Sequence, residues 1–539
     1  MTTETISQTV SELLASAIRD LGVETVFGLP GGENVEVLDA LRRAGLDFVL
    51  VHNESSAVFM ADMTARLTGK PSVCMTTLGP GAMNAAVGLG HAYLDRAPIL
   101  LLTAHTPERL LPGHTHQVID ISAVFTPLTK GTFTLHAHDA GDTIAKALTV
   151  LTTGRPGPVH LQIDKETATQ TVASIVVPEI APAQNLLSDD HEVSKAFAVL
   201  AEAKRPVIVT GVGLEPDAPY EALRELAEAL NAPVISTPKA KGGLSDQHPL
   251  AGGTIGLTMT DPAYEILDEA DCVLAVGFDV VELVKPWHHN APLIWVASWQ
   301  NHDPVLPCVA EIVGSLGESL QRLTDAAVET ESSWGTERVA AFRQKLAGRQ
   351  LPDPASGRLL PQTVLNTLRA HTPDDVIVTI DVGSHKIFTS LEWQTYATNS
   401  FFVSNGLSSM GFALPAAIAA AMAKPSTQVL CITGDGGMAM AVGELALLAK
   451  HQLSVTVVVM QDNALDLIRS AQTRAGKPVL GTEFVSPDFT VIAGAYGIAS
   501  QRVTTEEECM AAIQQAMTTK GPMLIEAWID PVSYPTTPK

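Results

Sequence analysis

Residues 429–469, VLCITGDGGMAMAVGELALLAKHQLSVTVVVMQDNALDLIR, decide how the chain is read. An apolar run over 429–433 suits a buried strand; a glycine-rich turn, a helical segment and a second buried run over 455–460 follow. In a parallel α/β unit both turns after these strands lie at the carboxyl ends, where such sheets bind ligands. That brings Asp435, in the first turn, beside Asp462 in the polar turn that begins Gln461, Asp462, Asn463. Gly434, Gly436 and Gly437 let the backbone approach a phosphate, and the helix that follows offers unpaired N–H groups to an anion. Two carboxylates beside an anion site predict a hard divalent cation, Mg²⁺, bridging protein and phosphates. The plainer alternative is a tight turn whose two aspartates cap helices.

The rest of the sequence sets the frame. Its 539 residues suggest about three domains, and with 46% hydrophobic and 17% charged residues a large core is expected. The formal charge of −24 argues against nucleic acid and anionic membranes as partners. An anionic substrate must then be drawn by a local site. Cys74, Cys272, Cys308, Cys431 and Cys509 stand alone, without a CxxC pair, as reduced thiols of a cytoplasmic protein would. No basic and apolar leader opens the chain, and no apolar stretch suits a membrane span.

In chain order, Val10, Leu13, Leu14, Ala17, Ile18 and Leu21 recur on one helical face that Gly22 ends. The strand over 47–51 runs into His52, Asn53 and Glu54, ahead of a helix expected to begin at Ser55 or Ser56. An acidic residue is favoured there by the helix terminus alone. LGPGAMN is a further strand-to-helix turn open to close ligand approach, and a polar loop carries His114, His116, Gln117 and Lys130. No third ligand completes a zinc site around the two histidines. Residues 166–190 read as a linker, and a second α/β unit follows whose Gly211-Val212-Gly213 run lacks the full GxGxxG. After a polar connector over 329–357, a third α/β unit contains DVGSHKI and NGLSSMGFALPAAIAAAMA, the latter a glycine turn opening a helix. The expected fold is α/β, three domains each with a mostly parallel sheet flanked by helices, over 1–168, 190–330 and 355–533. The like grammar of the first and third suggests a duplication.

GDGG followed by a helix, a strand and an acidic or amide turn, with Asp462 27 positions after Asp435, resembles the diphosphate-binding motif of the thiamine diphosphate enzymes. Many members end that motif in two asparagines; Gln461 and Asp462 resemble the catabolic acetolactate synthases instead. VFGLPGGEN, FVLVHNESSAVFMADMTARLTGK and the LGPGAMN turn look like the pyrimidine-binding domain of the acetolactate synthase and 2-oxo acid decarboxylase group. The resemblance covers both ends of the chain.

It implies a set of roles. Asp435, Asp462 and the backbone carbonyl near Ala464 would hold Mg²⁺. Gly434, Gly436 and Gly437 would take the diphosphate, Ser408 would bond the pyrimidine through its backbone, Met410 would wedge under the cofactor, and Leu467 and Ile468 would wall the pocket. Glu54 would share a proton with a pyrimidine ring nitrogen, while Gln117 and His116 would border the substrate. In the family this glutamate and the diphosphate motif come from different subunits, so a homodimer or homotetramer with active sites at subunit interfaces is implied. The central domain binds FAD in some members; FAD is possible here but not favoured.

Loss of CO₂ from a 2-oxo acid leaves an acyl carbanion that no side chain stabilises well, so an electron sink is required. The expected activity is decarboxylation of a 2-oxo acid, pyruvate by default, with carboligation to a second carbonyl acceptor. Ala471 stands where anabolic acetohydroxyacid synthases carry a tryptophan. A non-ligating decarboxylase and a nucleotide-dependent dehydrogenase are the alternatives.

Overall fold

The computed structural model describes residues 8–172, 189–214, 219–284, 290–301, 305–327, 333–354 and 357–534. The chain divides into two compact units, Met1–Gln184 and Asn185–Lys539. Most of the linker expected over 166–190 lies outside the described residues.

In the first unit Thr9 opens the first helix, Val10–Asp20, with a capping box: its hydroxyl accepts from Glu12 N–H at 3.2 Å and its own N–H donates to the Glu12 carboxylate at 2.7 Å. Six strands, Thr25–Leu29, Asp47–Leu50, Ser72–Thr76, Ile99–His105, Thr132–Thr134 and Val159–Asp164, form one sheet. Numbered in chain order they stand as 2-1-3-4-6-5, every pair parallel. The buried helices Glu54–Thr68 and Pro80–Leu94 leave the carboxyl ends of the second and third strands. Helix Glu54–Thr68 begins one residue earlier than expected, because the Asn53 side chain, not a serine, caps it by accepting from Ser55 N–H at 2.8 Å.

The second unit holds two six-stranded parallel sheets. The central one, Pro206–Thr210, Val234–Ser236, Ala251–Thr254, Cys272–Val276, Leu293–Ala297 and Ala310–Val313, has the order 3-2-1-4-5-6. Its edge strands are short, and helix Trp334–Ala347 adds Val339 and Phe342 to its core. The last sheet, Ile377–Ile380, Phe401–Val403, Val429–Gly434, Val455–Gln461, Ala499–Val503 and Met523–Trp528, again runs 2-1-3-4-6-5. Identical order in the first and last sheets fits a duplication. Strands such as VLCIT and VTVVVM are buried on both faces, which is why they read as unbroken apolar runs. The helix expected after GDGG is broken, Asp435–Ala441 and Leu445–His451 being joined by one 3₁₀ turn at Val442–Glu444. No helix among the described residues is long and apolar enough to cross a membrane.

Candidate active site

In the last sheet the strand order reverses between Ile377–Ile380 and Val429–Gly434, and ligands bind beside the carboxyl ends at such a junction. A cavity of about 150 Å³ opens there. Its walls include Met410, Gly434, Asp435, Gly436, Gly437, Asp462, Ala464, Leu467 and Ile468, nine of the residues singled out in the sequence. Asp435 Oδ2 accepts from Asn463 N–H at 2.8 Å and from the Ser486 hydroxyl at 2.6 Å, and its Oδ1 accepts from Gly436 N–H at 2.9 Å. These bonds bring the two turns of residues 429–469 together. Burial raises the Asp435 carboxyl above its ordinary range. Asp462 is pushed up to about 7, first by burial and then by the charges of Asp435 and Asp466; Arg469, 3.5 Å from its Oδ2, opposes them.

Several contributors carried no motif signal. Asp381, next after its strand, is buried and accepts from Val382 N–H at 2.7 Å, Gly411 N–H at 2.9 Å and the Thr433 hydroxyl at 3.2 Å. Burial raises its carboxyl to about 6. His385 lines the cavity, burial lowers its imidazole to about 4, and its Nε2 has no hydrogen-bond partner. Asp466 accepts from the Ser384 hydroxyl at 2.7 Å and from Arg469 at 2.9 Å. The signal that marks all of these is position, a polar residue within a few places of a parallel strand's carboxyl end.

Ser408 adopts φ +54, a conformation that a serine holds only when its surroundings impose it. Its hydroxyl donates to Asn405 C=O at 2.8 Å and accepts from the buried Lys386 ammonium at 3.0 Å; Lys386 also donates to Ser404 C=O at 2.8 Å. Ser408 is not among the cavity's lining residues, whereas Met410 is, and a Cβ on Gly436 would stand 3.1 Å from its Cε.

In the first unit Glu54 is 6% exposed and its Oε2 accepts from the Asn84 amide at 3.0 Å. The LGPG turn passes between two of the predicted residues. A Cβ on Gly81 would lie 3.1 Å from Glu54 Oε1, and one on Gly79, at φ +58, would lie 2.9 Å from Gln117 Cβ. Gln117, at φ +58, lines a cavity of about 300 Å³ with His105, Asp120 and Gln162. His116 is exposed, its ring 6.4 Å from that of His114, and it is not among that cavity's lining residues. Lys130 donates to Thr153 C=O at 2.6 Å, and burial lowers its ammonium to about 8.

The residues around Asp435 fit a magnesium diphosphate. Two buried carboxylates whose proton affinities are raised, a glycine turn with no side chain to fill it, and a buried imidazole whose Nε2 has no partner supply cation and anion partners together. Among the described residues no cluster of three or more His, Cys, Asp or Glu forms a cage on its own. A Mg²⁺ there would complete its shell with phosphate oxygens and water, as that ion usually does. The central sheet fits a flavin poorly, since the Glu282 carboxyl fills the turn after its first strand.

Three thiamine pyrophosphate enzyme domain models match the chain: the N-terminal TPP binding domain over residues 8–124, the central domain over 193–323 and the C-terminal TPP binding domain over 381–527. The probable acetolactate synthase large subunit of Methanococcus aeolicus is 30% identical, covering 97% of this chain and 92% of its own. The acetolactate synthase isozyme 2 large subunit of Escherichia coli is 30% identical, covering 96% and 95%. The acetolactate synthase of Bacillus subtilis is 29% identical, covering 96% and 93%.

Proposed function

Because this chain belongs to the thiamine pyrophosphate enzyme family, in its acetolactate synthase and 2-oxo acid decarboxylase group, we propose that it decarboxylates a 2-oxo acid, pyruvate by default, and joins the acyl unit to a second carbonyl. With pyruvate as donor and acceptor the products are acetolactate and CO₂. The observation that carries the proposal is the cavity in which Asp435, Asp462, the glycine turn and Met410 meet.

Thiamine diphosphate, another name for thiamine pyrophosphate, supplies when bound the electron sink that loss of CO₂ requires. The chain's own residues bind, orient and move protons. Asp435, Asp462 and the Ala464 carbonyl would hold Mg²⁺; Gly434 opens the turn, Gly436 donates its N–H to Asp435, the N–H of Gly437 and the imidazole of His385 would take phosphate oxygens, and Leu467 and Ile468 wall the pocket. Ser408 would offer its backbone to the pyrimidine, and Met410, which lines the cavity, would support the cofactor. Glu54, which accepts from Asn84, would hold a proton for exchange with the pyrimidine ring as general acid and base. Gln117 faces the substrate, and His116 stands at the rim. The active unit is a homodimer, or a homotetramer built of two, and the five free cysteines suit the cytoplasm.

The test is incubation of the purified protein with pyruvate, thiamine diphosphate and Mg²⁺, followed by product analysis. Acetolactate, or acetoin after acid treatment, is the expected product. Acetaldehyde alone would replace carboligation with simple decarboxylation, and turnover that needs NAD but no thiamine diphosphate would overturn the assignment.

A further inference from the structure

The central sheet reverses its strand order between Pro206–Thr210 and Cys272–Val276. In sheets of the order 3-2-1-4-5-6 a dinucleotide lies across that crevice, its phosphates against the glycine turn after the first strand. Here that turn is Gly211-Val212-Gly213, and the crevice holds a side chain of the chain itself. Glu282 Oε2 accepts from Val212 N–H at 2.9 Å and from Asp279 N–H at 3.0 Å, while Oε1 accepts from the Thr237 hydroxyl. Turns following the first, second and fourth strands thus converge on one carboxyl.

The fit leaves no room for a phosphate. Glu282 is 1% exposed and Thr237 is 0% exposed. A Cβ on Gly211 would stand 2.2 Å from Glu282 Oε2. Gly213 N–H donates to Gly277 C=O at 2.7 Å, so the second glycine of the turn is closed against the neighbouring strand's exit as well. The freedom that glycine gives the backbone is used here for packing within the protein.

The backbone of Glu282 also reaches the last sheet. Its C=O accepts from the Asn405 amide at 2.7 Å, and Asn405 C=O accepts from the Ser408 hydroxyl at 2.8 Å. This short chain of bonds ends on the residue held at φ +54, ahead of Met410.

We propose that the Glu282 carboxyl is a tethered internal ligand in the phosphate position of the central crevice, so that the central sheet takes up no flavin or adenine dinucleotide and braces the Asn405–Ser408 turn instead. The exclusion does not depend on which reaction the chain catalyses; the brace rests on the proposed role of Ser408 and Met410 in holding thiamine diphosphate. Burial pushes the Glu282 carboxyl up to about 8, so it holds its proton near neutrality and Glu282→Gln is the conservative replacement.

Two measurements separate the parts. The purified wild-type protein is expected to carry no flavin absorbance and to show no saturable binding of FAD or ADP in calorimetric titration; stoichiometric binding of either overturns the exclusion. Thiamine diphosphate affinity, read by intrinsic fluorescence with Mg²⁺ present, is expected to fall about tenfold in Glu282→Ala and to be retained in Glu282→Gln. Asn405→Ala cuts the link outside the crevice and is expected to lose affinity similarly. Unchanged affinity in folded Asn405→Ala overturns the brace, while failure of the wild type to bind thiamine diphosphate at all overturns the proposed function instead.

Discussion

The first and last sheets share the order 2-1-3-4-6-5 and yet place different side chains at the same junction. In the first, a neutral amide ties the turn after strand one to strand three: Asn34 accepts from Gly31 N–H at 2.9 Å and donates to Thr76 C=O at 3.1 Å. In the last, a carboxyl does the corresponding work, Asp381 bonding Gly411 N–H and the Thr433 hydroxyl. The glycine turn after strand three differs likewise. LGPG packs against one carboxylate, Glu54, that an amide holds, whereas GDGG brings Asp435 to Asp462 and their proton affinities rise. Topology sets where a ligand can lie; the residues at the strand ends set what that place can do, and under the proposed function they divide proton handling from metal diphosphate binding.

The division of labour is broken most directly at Glu54. Glu54→Gln keeps the shape and the Asn84 neighbour but removes the acid, and it is expected to lower kcat by roughly 10²- to 10⁴-fold with thiamine diphosphate still bound. Steady-state kinetics beside a fluorescence titration separate the two quantities. If the variant loses its cofactor and not its turnover number, the first sheet holds the ligand and the comparison collapses.

The reverse pattern is expected in the last sheet. Asp435→Asn leaves an oxygen for Asn463 N–H but takes away a charge that the proposed Mg²⁺ site needs. Thiamine diphosphate affinity in the presence of Mg²⁺ should fall by at least about 10- to 100-fold, the loss typical even of residues one shell away from a metal. Excess Mg²⁺ should recover part of it. A full-affinity variant with slow turnover would move Asp435 into the proton chemistry and erase the distinction.

What the sequence disclosed follows the same physical line. Doubly covered strands announce themselves as apolar runs, and GDGG with Asp462 announces itself because a fixed helix and strand must separate the two turns. Short edge strands do not. Ala251–Thr254, AGGT, has almost no apolar side chain to report, and Ala310–Val313 is four residues long. Asp381, His385 and Lys386 lie in DVGSHKI, where nothing local distinguishes a buried carboxyl and imidazole from a solvated turn. Glu282 was hidden for the same reason: GFDVVEL looks like a surface turn until three strand ends are seen to converge on it.

The smallest effect tests the comparison at its root, the exchange of Asn34 for Asp381. Burial raises the Asp381 carboxyl from an ordinary 3.8 to about 6 in the folded protein. An acid whose folded value lies above its unfolded one binds its proton more tightly when folded, so its contribution to stability is present below about pH 4 and is lost as the pH rises through 6. Asparagine keeps an acceptor for Val382 and Gly411 N–H, presents a donor to the Thr433 hydroxyl and has no proton to lose. Asp381→Asn in the full chain without thiamine diphosphate is therefore expected to match the wild type near pH 4 and to exceed it near pH 7 by at most about 3 kcal/mol, a few degrees in Tm. Asn34→Asp should install the same acid-favoured stability in the first sheet. Thermal unfolding across that interval decides it: parallel curves for wild type and Asp381→Asn would mean that the carboxylate is as well solvated by its N–H donors as it is in water, and the two junctions would then differ in ligand chemistry without differing in electrostatic cost.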